Sequence, residues 1–396
     1  MKLMFSSCMP MDHGGYPNQL HSLIRQLSKY NTDIKMSVVC WNINIEEQEK
    51  AIKLKDFSMD RDMFIEKGQY YNDILFYIPG NTLNFWTKLE KYYTDFKPDI
   101  ILFYQDILAL ENYNIGKLKC KKLLWLPIHD NFREHKLVPS EFADPKGIYK
   151  NSTFKFLPIF DKIATFSQFG MEVLKSYNYS PYFINHSIDK GTFYKKYDKK
   201  IEKKNRKIDE KAFVCLMVAS NSELSNRKAF DSNIIAFQRF AKDKNAVLIL
   251  KTYLRGAANL ESIIKVLGIE KKIINVCDKI NTDSLVKLYC TADVLLAASK
   301  SEGFGIPIVE AQFCGTPVIT TNCTAMPENT FIGVCTEPGD ISLSVHNLNS
   351  WSNPSIDNIV DALEKVYSGN HIKKDIPFER YDMENIFNDW KKFLEI

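Results

Sequence analysis

Residues 299–310 of this chain read Ser299-Lys300-Ser301-Glu302-Gly303-Phe304-Gly305-Ile306-Pro307-Ile308-Val309-Glu310, and they decide how its C-terminal half folds. The preceding run, residues 292–298, is apolar enough to form a buried strand of a parallel sheet. Pro307 suits the first position of a helix, where its missing N–H costs nothing. The stretch therefore predicts a strand, a glycine-bracketed turn and a helix, with Glu302 in the turn and Glu310 in the first turn of the helix.

This turn also predicts a binding site for an anion. The amides of Gly303, Phe304 and Gly305 would point out of the helix N-terminus, where negative charge is favoured. The two glycines let the backbone come close to a ligand. A carboxylate beside a phosphate repels it unless the carboxylate holds something else, and sugar hydroxyls are suitable partners for Glu302 and Glu310. The pattern is typical of a sugar-nucleotide site.

The same residues resemble the E-x7-E signature of family-4 glycosyltransferases, which have the GT-B fold. The resemblance implies that Glu302 contacts the transferred sugar and that Glu310 binds the ribose hydroxyls. It assigns the diphosphate to the turn, so the substrate-binding residues there are Gly303, Phe304, Gly305 and Ile306. The alternative is an ordinary strand, turn and helix whose glutamates are solvated.

Length and composition favour two globular domains. A chain of 396 residues is longer than one ordinary core requires, and its 45% hydrophobic and 25% charged residues are usual for a soluble protein. A net charge of +4 is too small to indicate a nucleic-acid partner. Nine cysteines without C-x-x-C spacing favour a reducing compartment over a disulfide framework or a metal site. No signal-peptide or membrane-span pattern is present, so we expect a cytoplasmic protein.

Strand-like runs alternate with helical patterns along the whole chain, which predicts an α/β protein with doubly wound sheets. Predicted strands include Lys35–Cys40, Ala246–Lys251 and Val294–Ala297, and predicted helices include residues 227–241 and Ile356–Tyr367. By resemblance, two Rossmann-like domains face an interdomain cleft. Residues 1–188 form the acceptor-side domain, 189–377 the nucleotide-sugar domain, and the helix in 378–396 packs back on the first domain.

The stretch from Asp189 to Lys211 is rich in lysine, and we interpret it as the domain boundary. A solvated linker with interspersed acidic residues is the simpler interpretation. The alternative is contact with an acidic partner or an anionic membrane surface. Peripheral membrane contact through the lysines at 117, 119, 121 and 122 is a second alternative.

A second cationic motif follows the strand at residues 213–219. Arg227-Lys228-Ala229-Phe230-Asp231 resembles the family's R-K-G-x-D stretch, whose lysine neutralises the departing diphosphate. Cleavage of a sugar–phosphate bond leaves growing negative charge on the phosphate, so a cation is needed there. Lys228 is the predicted catalytic cation, with Arg227 assisting. The chain departs from the family at residues 219–221, where a Gly-Arg pair is replaced, and exposed cations at a helix start remain the alternative.

Weaker signals place residues around the expected cleft. Gly14 and Gly15 resemble the family's N-terminal glycine loop, and His129 matches its cleft histidine, which orients sugar and acceptor. Asp278 could accept hydrogen bonds from guanine, which favours a GDP-sugar, and the alternative is that it caps the approach to the helix at Asp283. The Asp60-Arg61-Asp62 motif is discounted as a metal site, because no strand leads to it.

These residues together predict a retaining, metal-independent hexosyltransferase without a cofactor. By resemblance, it would move a hexose from a nucleotide sugar, with GDP-mannose favoured, to a glycan or other hydroxyl acceptor. The catalytic residues would be His129, Lys228 and Glu302. Three alternatives remain: a UDP-sugar-dependent glycosyltransferase, a GT-B sugar-nucleotide epimerase and a non-catalytic carbohydrate-binding protein.

Overall fold

The computed structural model of this chain contains two mainly parallel sheets, one after the other in the sequence. It describes residues 1–7, 15–31, 33–40, 69–71, 74–77, 85–105, 115–128, 157–221, 226–276, 280–343 and 350–396.

The first sheet contains eight described strands. They are β1 Lys2–Ser7, β2 Lys35–Cys40, β3 Gln69–Tyr71, β4 Ile74–Tyr77, β5 Ile100–Tyr104, β6 Lys121–Leu126, β7 Lys162–Thr165 and β8 Tyr182–Phe183. Their order is β3-β4-β2-β1-β5-β6-β7-β8, and all neighbours are parallel except the antiparallel pair β3 and β4. The chain changes direction across the sheet between β1 and β5, which is where ligands bind in sheets of this kind.

Helices cover both faces of this sheet. They are α1 Gly15–Tyr30, α2 Phe85–Phe96 and α3 Gln168–Ser176. Along β1, Leu3 and Phe5 belong to one apolar core, whereas Met4 belongs to a second. Since successive strand residues point to opposite faces, the two cores lie on the two sides of the sheet.

The second sheet repeats this plan. Its strands are β9 Phe213–Val218, β10 Ala246–Lys251, β11 Ile273–Asn275, β12 Val294–Ala297, β13 Val318–Thr321, β14 Ile332–Thr336 and, later in the chain, β17 Ile372–Lys373. The order is β11-β10-β9-β12-β13-β14-β17, with only β17 antiparallel to its neighbour. The switch point lies between β9 and β12. The predicted doubly wound α/β architecture is therefore confirmed.

The other elements of this half are helices and one hairpin. The helices are α4 Lys199–Asn205, α5 Phe230–Phe240, α6 Leu260–Val266, α7 Thr282–Thr291, α8 Ile306–Phe313 and α9 Ile356–Tyr367. The strands β15 Pro338–Leu343 and β16 Ser350–Pro354 form a separate antiparallel pair. In β9, Leu216 points into one core and Cys215 into another, so this sheet is also covered on both faces.

The last helix, α10 Met383–Leu394, packs against the first sheet. The ring of Trp390 lies 4.8 Å from that of Trp125 in β6. Lys162 Nζ donates to the carbonyl oxygens of Lys392 and Phe393 at 3.1 and 3.0 Å. The segment before α10 thus carries the chain from the second sheet back to the first. None of the described helices is both long and apolar enough to cross a lipid bilayer.

Candidate functional site

The glycine turn leads from β12 into α8 at the carboxyl edge of the second sheet. Gly305 is the N-cap of α8 and has a left-handed backbone with φ of 84°. A Cβ at this position would be strained and would lie 2.5 Å from Cδ1 of Ile308. Pro307 lies in the first helical turn, where it needs no hydrogen-bond acceptor. Glycine at 305 therefore sets the direction in which the chain enters the helix.

This turn presents three backbone amides at the N-terminus of α8. Among the described residues, none accepts a hydrogen bond from the amides of Gly303, Phe304 or Gly305. The side chain of Phe304 is buried, with its ring centroid 4.8 Å from that of His186. Only the backbone of the turn can therefore face a ligand. Free N–H donors at a helix N-terminus attract an anion.

The Glu302 carboxylate is buried between two cations. Its Oε1 accepts a hydrogen bond from Lys228 Nζ at 2.6 Å, and its Oε2 accepts one from Arg227 Nη1 at 3.1 Å. The hydroxyl of Ser299 donates to Oε1 at 2.9 Å. Burial acts to raise the pKa of Glu302, but the charges of Lys228 and Arg227 outweigh it and lower the pKa to about 2. The carboxylate is consequently ionised at neutral pH.

Arg227 and Lys228 lie in the turn before α5. Ala229 is the N-cap and has a left-handed φ of 46°, so the helix begins at Phe230. The predicted helix start at residue 227 is therefore wrong by three residues. The carbonyl of Arg227 accepts the Lys300 N–H at 2.9 Å, which fastens this turn to the glycine turn. The Arg227 side chain also donates to the Ser301 carbonyl at 2.7 Å, so this turn lies against the residues that precede the three amides.

Glu310 lies in the second turn of α8, not in the first as predicted, because the helix begins at Ile306. Its side chain is buried, and Oε2 accepts a hydrogen bond from the hydroxyl of Tyr289 at 2.7 Å. Burial raises the pKa of Glu310 to about 7, although the hydrogen bond from Tyr289 opposes the shift. Near neutral pH this carboxyl group is therefore close to its midpoint of ionisation.

Two glycines bring the two sheets together at this point. A Cβ at Gly15, the first residue of α1, would lie 3.0 Å from Cδ1 of Ile306. A Cβ at Gly303 would lie 3.0 Å from Cβ of Pro127, which follows β6. The start of α1 and the glycine turn before α8 therefore meet across the space between the sheets, as the positions of Gly15 and Ile306 show.

Several predicted residues fall outside the part of the chain that the structure describes. They are Gly14, His129, Asp278 and the Asp60-Arg61-Asp62 motif. At the position of the missing Gly-Arg pair, the amide of Asn221 donates to the carbonyls of Tyr253 and Ala258 at 2.9 and 2.7 Å. Asn221 thus supports the loop after β10.

The structure adds two residues that the sequence interpretation missed. Ser299 contacts the Glu302 carboxylate as described above. The hydroxyl of Thr324 accepts the Glu302 N–H at 3.0 Å, and the Ala325 N–H donates to the Glu302 carbonyl at 3.3 Å. Thr324 lies 22 positions further along the chain, in a left-handed conformation with φ of 50°. No local pattern in the sequence signals such a contact.

Comparison with known proteins extends these findings. Residues 198–368, somewhat less than half of the chain, match the family model described as glycosyl transferases group 1. O-antigen chain mannosyltransferase B of Escherichia coli is 39% identical over 75 residues, which are 18% of this chain and 20% of that protein. The MMP alpha-(1->4)-mannosyltransferase of Mycolicibacterium hassiacum is 32% identical over 93 residues, 24% of this chain and 22% of that protein. The chain thus spans only about a fifth of the length of each of these two relatives.

Solved structures match over the whole chain. HepE of Anabaena, in complex with UDP-glucose, superposes with a TM-score of 0.64 and 16% identity, covering 100% of both chains. This likeness, together with the two doubly wound sheets, shows that the chain has the GT-B fold. The fold predicted from the sequence is confirmed.

Proposed function

We propose that this protein is a retaining, metal-independent glycosyltransferase that resembles family 4 and acts in the cytoplasm. It moves a hexose from a nucleotide sugar to a hydroxyl of a glycan or similar acceptor. The domain of residues 189–377 holds the donor, and the domain of residues 1–188 holds the acceptor. The observation that carries the proposal is the juxtaposition of Glu302, Arg227 and Lys228 with the open amides of the glycine turn.

Charge explains why these groups suit a diphosphate leaving group. When the bond between the sugar and the β-phosphate breaks, its electron pair goes to the phosphate oxygen. Lys228 and the amides from Gly303 to Gly305 stabilise that charge, and one such donor is commonly worth ~3–4 kcal/mol. Glu302 Oε1 accepts a hydrogen bond from Lys228 Nζ at 2.6 Å. The donor phosphate takes over this cation, and the Glu302 carboxylate turns to the hydroxyls of the sugar.

The acceptor reacts on the face from which the phosphate leaves. Glu302 is assigned to the hydroxyls of the sugar rather than to the anomeric carbon, and the sequence identifies no other carboxylate as a nucleophile. We therefore infer a front-face reaction. The acceptor oxygen forms the new bond to the anomeric carbon, and its proton passes to the departing phosphate. His129, Gly14 and Gly15 are proposed to line the sugar and acceptor, and the approach of Gly15 to Ile306 supports this for Gly15.

Glu310 is proposed to bind the ribose. Tyr289 occupies one lone pair of its Oε2, and the carboxylate retains further acceptor capacity for ribose hydroxyls. Ionised Glu310 is the better acceptor, so this contact strengthens as the pH rises through its pKa of about 7.

The donor favoured by the proposal is GDP-mannose. Asp278 would accept two hydrogen bonds from guanine, and two of the similar proteins are mannosyltransferases. A UDP-sugar is the second candidate, because HepE was solved with UDP-glucose.

A thermal-shift panel of GDP-, UDP- and ADP-sugars tests this proposal. A donor at a hundred times its Kd adds ~2.7 kcal/mol to the free energy of unfolding. We expect stabilisation by one base class only, and transfer activity that survives EDTA. Formation of a new nucleotide sugar without acceptor would identify an epimerase instead. No stabilisation by any nucleotide sugar would reject the proposal.

A further inference from the structure

One peptide unit in the glycine turn has to face the correct way for the proposed site to work. The Phe304 carbonyl and the Gly305 N–H belong to the same trans peptide, so they point in opposite directions. Gly305 tolerates both signs of φ, so the turn itself does not select one orientation of this peptide. Something outside the turn must hold it.

Asn329 fixes the orientation of this peptide. Its Nδ2 donates to the Phe304 carbonyl at 2.8 Å, and its side chain is fully buried. A carbonyl oxygen only accepts hydrogen bonds, so the NH2 end of the amide must face Phe304 and the Oδ1 end must face away. With the carbonyl anchored on Asn329, the Gly305 N–H is directed to the opposite side, where no described residue accepts from it.

Tyr381 in turn fixes Asn329. The Tyr381 hydroxyl donates to Asn329 Oδ1 at 2.8 Å, and Tyr381 is also fully buried. The backbone carbonyl of Tyr381 accepts the N–H of Ile188, in the segment that follows the first sheet, at 2.9 Å. The glycine turn is therefore tethered, through two buried side chains, to the segment that carries the chain back to the first sheet.

We propose that Asn329 is a positioning residue for the glycine turn and that Tyr381 sets its orientation. The inference rests on the proposed function, since it assigns the Gly305 N–H to the donor diphosphate. Neither residue touches the donor. Each acts by keeping one peptide of the turn in the orientation that offers its N–H to an oxyanion.

The test compares Asn329→Leu and Tyr381→Phe with the control Thr291→Val. Thr291 is also buried and its hydroxyl donates to the carbonyl of Lys287 at 2.6 Å, but it lies at the C-terminus of α7, just before β12 and at the amino edge of the sheet. Calorimetric titration with UDP and with GDP is the readout, alongside the free energy of unfolding. Loss of one hydrogen bond to a charged oxygen corresponds to an increase in Kd of about tenfold.

We expect that increase for Asn329→Leu, a smaller one for Tyr381→Phe and none for Thr291→Val, even where all three are equally destabilised. The KM for acceptor should not change. Equal Kd values in all three variants would overturn the inference.

A ligand-free measurement separates this inference from the proposed function. If wild-type protein binds neither nucleotide, the proposed function fails. Crystal structures of Tyr381→Phe, and of Asn329→Leu if it folds, still decide the positioning role. A flipped or disordered peptide between residues 304 and 305 supports it, whereas an unchanged peptide refutes it.

Discussion

At the scale of single residues, the proposed reaction depends most on the ion pair of Lys228, which stabilises the leaving phosphate, with Glu302, which binds the sugar. The two side chains are 18% and 11% exposed, so water screens their contact only partly. Removal of either group leaves a buried charge without this partner. The leaving-group role can therefore be judged only by how an effect divides between binding and rate.

The first prediction concerns Lys228→Ala. We expect kcat to fall by 100-fold or more, that is by ~3 kcal/mol, with a change in nucleotide Kd of less than about tenfold. Charge on the leaving phosphate grows in the transition state, so a cation aimed at it affects the rate more than the binding. Steady-state kinetics and calorimetry measure the two quantities. Equal losses in binding with kcat unchanged would reject the role.

Lys244→Ala is the matched control for this variant. Lys244 also forms a 2.6 Å ion pair, with Glu364, but it lies just before β10 at the amino edge of the sheet. It should leave both kcat and Kd unchanged. A similar fall in kcat for Lys244→Ala would show that the effect of Lys228→Ala is not local.

The second prediction follows from the pKa of Glu310. Burial raises it from the ordinary value of 4.5 to about 7, so the folded protein binds an extra proton between these pH values. The stability of the wild type is therefore lost progressively as the pH rises from about 5 to about 7. Glu310→Gln lacks this titration. Relative to wild type it should gain roughly 2–3 kcal/mol of unfolding free energy between pH 5 and pH 8.

Urea unfolding of both proteins at pH 5 and pH 8 measures this difference. The hydroxyl of Tyr289 does not interfere, because burial holds its pKa well above the ordinary value. A stability difference that is the same at both pH values would show that Glu310 does not titrate in this window. Nucleotide affinity of the wild type should meanwhile rise with pH, and that of Glu310→Gln should not.

The residues that a sequence can reveal are those whose role is local. Glu302 and Gly305 sit in one short motif, and the physical reason for each is contained in that motif. Asn329 and Tyr381 lie 24 and 76 positions beyond Gly305, and only the packed fold brings their polar atoms to the turn. Tyr289 beside Glu310 is of the same kind. Long-range partners of a site cannot be read from a single sequence.

At the scale of elements, the predicted and observed bounds agree where apolar pattern decides the structure. The strands Lys35–Cys40, Ala246–Lys251 and Val294–Ala297 and the helix Ile356–Tyr367 were predicted to the residue. Buried parallel strands appear in the sequence as continuous apolar runs. In α9 the apolar residues recur with the period of an α-helix.

The sequence did not predict a helix that is held in place mainly by polar contacts. The helix α4 lies inside the lysine-rich stretch interpreted as a linker. Its Lys203 is buried, donates to the carbonyl of Ala212 at 2.8 Å and forms an ion pair with Asp293 at 3.3 Å. The N-cap Asp198 accepts from the amides of residues 200 and 201. These contacts are polar, and Asp293 lies 90 positions beyond Lys203, so the stretch has no apolar pattern that predicts a helix.

The third prediction concerns the left-handed entry into α8. Gly305→Ala should cost ~1 kcal/mol of unfolding free energy, because alanine is disfavoured at a φ of 84°. The terminal methyl of Ile308 can move aside, so little is added by its 2.5 Å approach to the new Cβ. Nucleotide Kd should rise by about tenfold, since the turn relieves the strain at this φ by moving its amides.

Gly369→Ala isolates the backbone strain. Gly369 follows α9 with a φ of 78°, and a Cβ there would meet nothing within 4 Å. The Gly369→Ala variant should lose as much unfolding free energy as Gly305→Ala, and it should bind nucleotide with the affinity of the wild type. Equal affinities for the two variants would show that the turn does not bind the diphosphate.

At the scale of the whole molecule, one carboxylate links the two sheets near the site. Glu328 lies in the 3₁₀ turn Pro327–Asn329 after β13, and it accepts hydrogen bonds from the amides of Gln168 and Phe169 at 2.9 and 3.3 Å. These amides begin α3, which follows β7 of the first sheet. Arg380 adds a contact to Oε2 at 3.0 Å. The N-terminus of α3 is thus capped by a residue from the other half of the chain.

The last prediction is that Glu328→Ala loosens the cleft and lets water compete with the acceptor. Loss of these partly buried hydrogen bonds removes ~1–3 kcal/mol from the closed arrangement, which shifts its population towards open forms. A closed cleft protects an activated sugar from hydrolysis. The ratio of donor hydrolysis to transfer should therefore increase by about fivefold or more, with donor Kd nearly unchanged. Glu364→Ala, which breaks the exposed pair with Lys244, is the control. An unaltered ratio in Glu328→Ala would mean that the cap on α3 stabilises the fold without governing access of water.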